Sequence, residues 1–91
     1  MCTYETETIP VRASAKVADA WRAMDSATIY FDHPVHFAAG HALMIDVRHH
    51  AASPAQRVAL ELDANSAREL AHAILRTLDK VPDDLVNGSV T

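Results

Sequence analysis

Three histidines fall within nine residues, His33-x-x-His36-x-x-x-x-His41, with Asp32 immediately before them. Imidazole is a ligand for borderline metals such as zinc and an acid–base group near neutrality. Three neutral imidazoles that leave one position open would let Zn²⁺ activate water or polarise a carbonyl. In that reading His33, His36 and His41 are the ligands, and Glu5 or Asp32 is the general base or orients a ligand. Cys2, Glu5 or Glu7 would complete the shell if the first strand runs alongside. The competing reading makes His33 and His41 hydrogen-bonded caps at the end of a sheet, with His36 in solvent. The pattern lacks the two-Cys, two-His framework of a zinc finger and the His-Glu-x-x-His helix of a metalloprotease. It also lacks a Gly-rich phosphate loop, a Gly-x-Ser-x-Gly elbow and a Cys-x-x-Cys pair.

The elements that must position these residues are legible from periodicity. Residues 27–33, Ala-Thr-Ile-Tyr-Phe-Asp-His, alternate as a strand with Ile29 and Phe31 on one face, and Pro34 stops it. Residues 41–48 form a second strand with Leu43, Ile45 and Val47 inward. If the two pair as an antiparallel hairpin, Phe31 falls opposite Leu43 and Ile29 opposite Ile45. That register puts His33 opposite His41 on one face, with Cβ atoms about 5 Å apart. His36 lies in the seven-residue connection from Pro34 to Gly40.

Residues 2–9 are rich in Thr and alternate, which predicts a strand that ends at Pro10 or runs along an edge. Residues 11–26 admit a short helix over Ala15–Met24 or an extended arm. Residues 56–62 predict a strand with Val58, Leu60 and Leu62 inward. Asp63 then caps a helix from Ala64 to about Lys80, whose apolar stripe is Ala67, Leu70, Ala71, Ile74 and Leu78. Pro82 ends it. The expected fold is α+β: a single antiparallel sheet of about four strands with the C-terminal helix packed on one face. Residues 1–82 form the domain and 83–91 a loose tail. Leu43, Ile45, Val58, Leu60, Leu70 and Ile74 are the expected core.

Composition limits the functions available. Ninety-one residues suffice for one domain with a modest core. Eight basic residues against twelve acidic ones give a net charge of −4, with no basic stripe for nucleic acid. No apolar run approaches the roughly 20 residues of a membrane span. One cysteine and no signal-peptide order predict a reducing cytoplasm. The second sheet face, with Tyr30, Met44 and Ala59 among Asp32, Asp46 and Glu61, predicts a homodimer in which a two-fold partner covers it. The paired His49-His50 and the helical His72 read as surface residues.

The opening Met-Cys-Thr-Tyr-Glu-Thr-Glu-Thr-Ile-Pro-Val, the stretch Ile29-Tyr30-Phe31-Asp32-His33-Pro34-Val35-His36 and the strand Val58-Ala59-Leu60-Glu61-Leu62 resemble a family of short bacterial proteins of unknown function. The likeness covers most of residues 1–80 and continues to a position matching His41 and to the Ala-rich helix. It departs at Lys16 to Arg22, where family members carry more glycine. The resemblance implies no defined activity; the setting of some members near natural-product biosynthesis genes implies a small-molecule role. Two functions follow. One is a metal-binding protein or metal-dependent enzyme acting on a small molecule. The other is a non-catalytic homodimeric binding or interaction module.

Overall fold

A computed structural model describes residues 5–86. Strand β1 (Glu5–Val17) is followed by β2 (Ala20–Asp32), β3 (Ala42–Arg48) and β4 (Val58–Leu62), then by helix α1 (Ala64–Asp79) and the single turn α2 (Asp83–Val86). The four strands form one antiparallel sheet in the order β1-β2-β3-β4. Every strand neighbours the one before it, so each closure is local.

Residues 11–26 resolve as strand, not helix. They are the distal half of the long β1–β2 hairpin, which runs past the end of β3 as a two-stranded arm. The arm turns through Ala18 and Asp19 between the paired Val17 and Ala20. Ala18 takes a φ of 56°, a left-handed conformation for which glycine or asparagine is the usual choice. Cross-strand pairing therefore overrides the weak helical spacing of Val17, Ala20, Trp21 and Met24.

Halfway along, the register shifts. Pro10 pairs with Ser26 and Ala13 with Met24, so Val11 and Arg12 together oppose Asp25. This is a β-bulge, which bends the ribbon and re-aims the residue opposite it.

β2 and β3 pair in the register expected from their apolar residues: Ile29 with Ile45 and Phe31 with Leu43. One face then carries Ile29, Phe31, Leu43, Ile45 and, from β4, Leu60 and Leu62. The other carries Thr28, Tyr30, Asp32, Met44, Asp46 and Glu61.

Asp63 caps α1 by accepting the Ser66 N–H at 2.6 Å, which holds its carboxyl below the ordinary range. The helix stands off the first face instead of sealing it. Ile29, Leu43 and Ile45 form one wall of an apolar cleft of about 360 Å³, and Leu70, Ala71 and Ile74 form the other. The expected core is therefore redistributed. Leu43, Ile45 and Val58 are half-buried, and Leu60, Leu70 and Ile74 are exposed. The buried residues are Met24, Ala27, Ala42 and Met44. Two of them, Ala42 and Met44, lie on the second face, where the β2–β3 connection folds back over the sheet.

Met44→Ala is expected to cost about 2–3 kcal/mol, because Met44 is one of the large side chains the fold buries. Thermal unfolding followed by circular dichroism should show a fall of about 10 °C or more. Ala18→Gly should act in the opposite direction, by about 0.5–1 kcal/mol, because glycine adopts the left-handed turn without steric cost.

Candidate functional site

The β2–β3 connection is held by a carboxylate. Glu61 on β4 accepts the backbone N–H groups of three successive loop residues: Val35, His36 at 3.0 Å and Phe37 at 2.7 Å. Partial burial alone would push the Glu61 carboxyl upward. The three donors outweigh that and hold it below its ordinary value. Glu61 thus staples the loop to the second face of the sheet.

The strand register and this staple together fix where the three motif histidines go. His33 leaves β2 one residue beyond the last paired position, and His41 enters β3 one residue before it. Their rings meet with centroids 4.5 Å apart. The His41 ring also stacks on Phe31 at 5.8 Å and 12°. His36 is placed elsewhere. It lies on the stapled part of the loop and, with Tyr30, Met44, Asp46 and Arg57, lines a cleft of about 420 Å³ on the second face. The structure therefore pairs His33 with His41 and separates His36 from them.

The hydrogen bond at His33 sets its chemistry. Nδ1 lies 2.8 Å from the Gly40 carbonyl oxygen, which can only accept, so Nδ1 carries the proton and donates it. In the neutral ring the lone pair then resides on Nε2. A backbone carbonyl that fixes the tautomer and leaves the other nitrogen as a donor atom is the arrangement that orients metal-ligating histidines.

Of the two carboxylates considered for base chemistry, Glu5 stands opposite Phe31 on β1, two positions along the face from His33. Such diagonal neighbours are about 7–8 Å apart, within reach of a long side chain. Asp32 belongs by alternation to the other face, and its Oδ1 accepts the His33 N–H at 2.6 Å. It fixes the backbone at His33. Glu7 lies further along β1, opposite Ile29. Cys2 lies outside the described residues.

A second cluster was not legible as a site in the sequence. At the bulge, Asp25 meets the His49-His50 pair that follows β3. The His50 N–H donates to Asp25 Oδ1 at 2.9 Å, and its ring Nδ1 donates to Oδ2. His49 Nε2 is 3.7 Å from the same Oδ2, and the two rings stack at 4.8 Å. The His50 ring bond is the main cause that depresses the Asp25 carboxyl below its usual value. Among the described residues this is the one group of three such side chains whose donor atoms all lie within 4.8 Å of one another. Its tautomer differs from that of His33. His49 Nδ1 accepts the Ala51 N–H at 3.1 Å, so the proton of the neutral ring sits on Nε2, facing Asp25. His50 hydrogen-bonds the carboxylate and His49 turns an N–H toward it, which together make an anchor. A metal there would require His49 to change tautomer and release Ala51. The signal that could have revealed the cluster is the β2–β3 register, which brings Ser26 opposite Arg48 and so Asp25 beside His49.

On the second face, the Tyr30 hydroxyl donates to Asp46 Oδ2 at 3.1 Å. Burial, aided by the Asp46 charge, pushes the phenol up. Arg57 Nε lies 4.0 Å from Asp46 Oδ1. Met44 is buried and Tyr30 half-buried, and both line the cleft that opens on this face.

The chain belongs to DUF6295, a family of unknown function, which matches it over residues 1–87. No curated protein and no solved structure matches it. Among the described residues no helix is long and apolar enough to cross a membrane.

Glu61→Ala is expected to release the loop, and the amide resonances of Val35, His36 and Phe37 should lose their dispersed, hydrogen-bonded shifts. Acid should do the same in the unaltered chain. The Glu61 pKa is lowered on folding, so its stabilisation is complete above the unfolded value of about 4.5 and is lost as pH falls through the folded one. An NMR pH titration from 6 to 3 should move these three amides together.

Proposed function

We propose that the protein is a small metal-binding protein acting on a small molecule, with the His33–His41 pair at the end of the β2–β3 hairpin as its chemical centre. The observation that carries this reading is the tautomer of His33. Its Nδ1–H is committed to the Gly40 carbonyl, so Nε2 is available as a donor atom beside the His41 ring. Two imidazoles with a carboxylate in reach suit zinc or a similar borderline ion. Glu5, opposite Phe31 on the edge strand, is the candidate carboxylate on the same face, as a third donor or as a base for a bound water. Asp32 orients His33 through its backbone amide. A bound ion of this kind would supply Lewis acidity toward a substrate oxygen. His36, on the other side of the loop, faces the cleft of Tyr30 and Arg57, where a small polar molecule would meet both a phenol and a guanidinium.

Untagged protein titrated with Zn²⁺ in a calorimeter tests the reading. One ion per chain should bind, with affinity falling in acid as protons compete for the imidazoles. His33→Ala should abolish binding and His50→Ala should leave it. The reverse pattern would move the ion to Asp25, His49 and His50. Absence of binding in excess Zn²⁺ would leave the pair with a packing role only.

A further inference from the structure

The second face of the sheet holds a cleft whose charged groups are unequally engaged. Its volume of about 420 Å³ falls within the range of roughly 300–1,000 Å³ that small-molecule sites occupy. Met44, a buried residue, lies at its base. Val35, His36 and Phe37 form one side, and Glu61 holds all three by their backbone N–H groups. The site is therefore preformed, and a ligand would have little loop to order on binding. Ala59 stands directly opposite Asp46 on the neighbouring strand, and its small side chain leaves room beside the carboxylate.

Asp46, Arg57 and Glu61 bring formal charges to this cleft. Both carboxylates are already engaged. Glu61 accepts the three loop amides, and Asp46 Oδ2 accepts the Tyr30 hydroxyl at 3.1 Å. The guanidinium is not. Its Nε stands 4.0 Å from Asp46 Oδ1, too far for a hydrogen bond, and it makes none with the described residues. The Arg57 side chain is 47% exposed, whereas that of Asp46 is 18% exposed. An incoming group thus meets the cation before the anion. The His36 ring also makes no hydrogen bond with the described residues, so it adds a donor on the same cleft.

What the fold leaves unmet on this cleft is mostly donors, and the rest of its wall is apolar. A carboxylate answers the first, because its two oxygens match the guanidinium fork with parallel N–H···O bonds. An apolar body answers the second, against Met44, Phe37 and Val35. We propose that the second-face cleft binds a small molecule with an apolar body and a carboxylate end, the carboxylate held by Arg57 with His36 beside it. The proposal rests on the small-molecule part of the reading above and not on the ion.

Titration of the full chain in EDTA, followed by calorimetry and amide NMR, tests the proposal. The probe is 2-naphthoate, with 2-naphthamide and 2-naphthylmethylammonium as controls. In EDTA the result is independent of zinc: a cleft that fails leaves the ion reading standing, and an ion that fails to bind leaves the cleft. One 2-naphthoate per chain should bind with Kd below about 1 mM, the affinity that about a dozen non-hydrogen atoms give at ordinary ligand efficiency. The amides of Val35, His36, Phe37 and Ala59 should shift. 2-Naphthamide has the same shape without the charge and should bind at least tenfold more weakly. Arg57→Gln should weaken 2-naphthoate by at least tenfold and leave 2-naphthamide unchanged. Ala59→Trp, which fills the cleft from an exposed position, should weaken both. No binding of 2-naphthoate at millimolar concentration, equal affinity for acid and amide, or tighter binding of the ammonium would each overturn the proposal. So would full 2-naphthoate affinity in Arg57→Gln, or shifts confined to the cleft beneath α1.

Discussion

The pairing of β2 with β3 is the constraint on which the rest depends. Setting Ile29 against Ile45 and Phe31 against Leu43 collects the large aliphatics on one face. A slip of one residue would turn every side chain of a strand to the opposite face. The same register brings His33 and His41 together at one end of the hairpin and Asp25 beside His49 at the other. Both histidine clusters are thus consequences of the alternation of apolar residues, and neither requires a dedicated element.

Two carboxylates hold the two ends. Glu61 accepts three backbone donors and fixes the loop that joins β2 to β3. Asp25, half-buried at the bulge, accepts from His50 and fixes the loop that leaves β3. Both acids are held below their ordinary pKa values by these bonds, so both loops are designed to be closed near neutrality and to loosen in acid. The difference between the ends lies in the imidazoles. His33 donates its Nδ1–H to a carbonyl and keeps a lone pair on Nε2. His49 Nδ1 accepts a hydrogen bond from the Ala51 N–H and turns its own Nε2–H toward the carboxylate.

The sequence made β2, β3, β4 and α1 legible, because their apolar periods are strong and Asp63 and Pro34 punctuate them. It did not make the arm legible. Residues 11–26 are rich in alanine, and their turn at Ala18-Asp19 lacks the glycine or asparagine that marks a hairpin. The pairing of His33 with His41 followed from the register, but the position of His36 did not. That depends on Glu61, a residue 25 positions later, whose role as an acceptor for loop amides leaves no mark on the local pattern. The expected six-residue core assumed a helix pressed onto the sheet. The open cleft beneath α1 shows how far a binary pattern can identify an apolar face without saying what covers it.

The proposed sharing of one ion by His33 and His41 is directly testable. The most direct measurement is a long-range ¹H–¹⁵N correlation spectrum of the imidazoles, recorded without and with one equivalent of Zn²⁺. Before addition, His33 should be protonated at Nδ1 and bare at Nε2. On addition, Nε2 of His33 and one ring nitrogen of His41 should move, while the rings of His49 and His50 keep their shifts. A His33 ring protonated at Nε2, or zinc-induced shifts confined to His49 and His50, would contradict it.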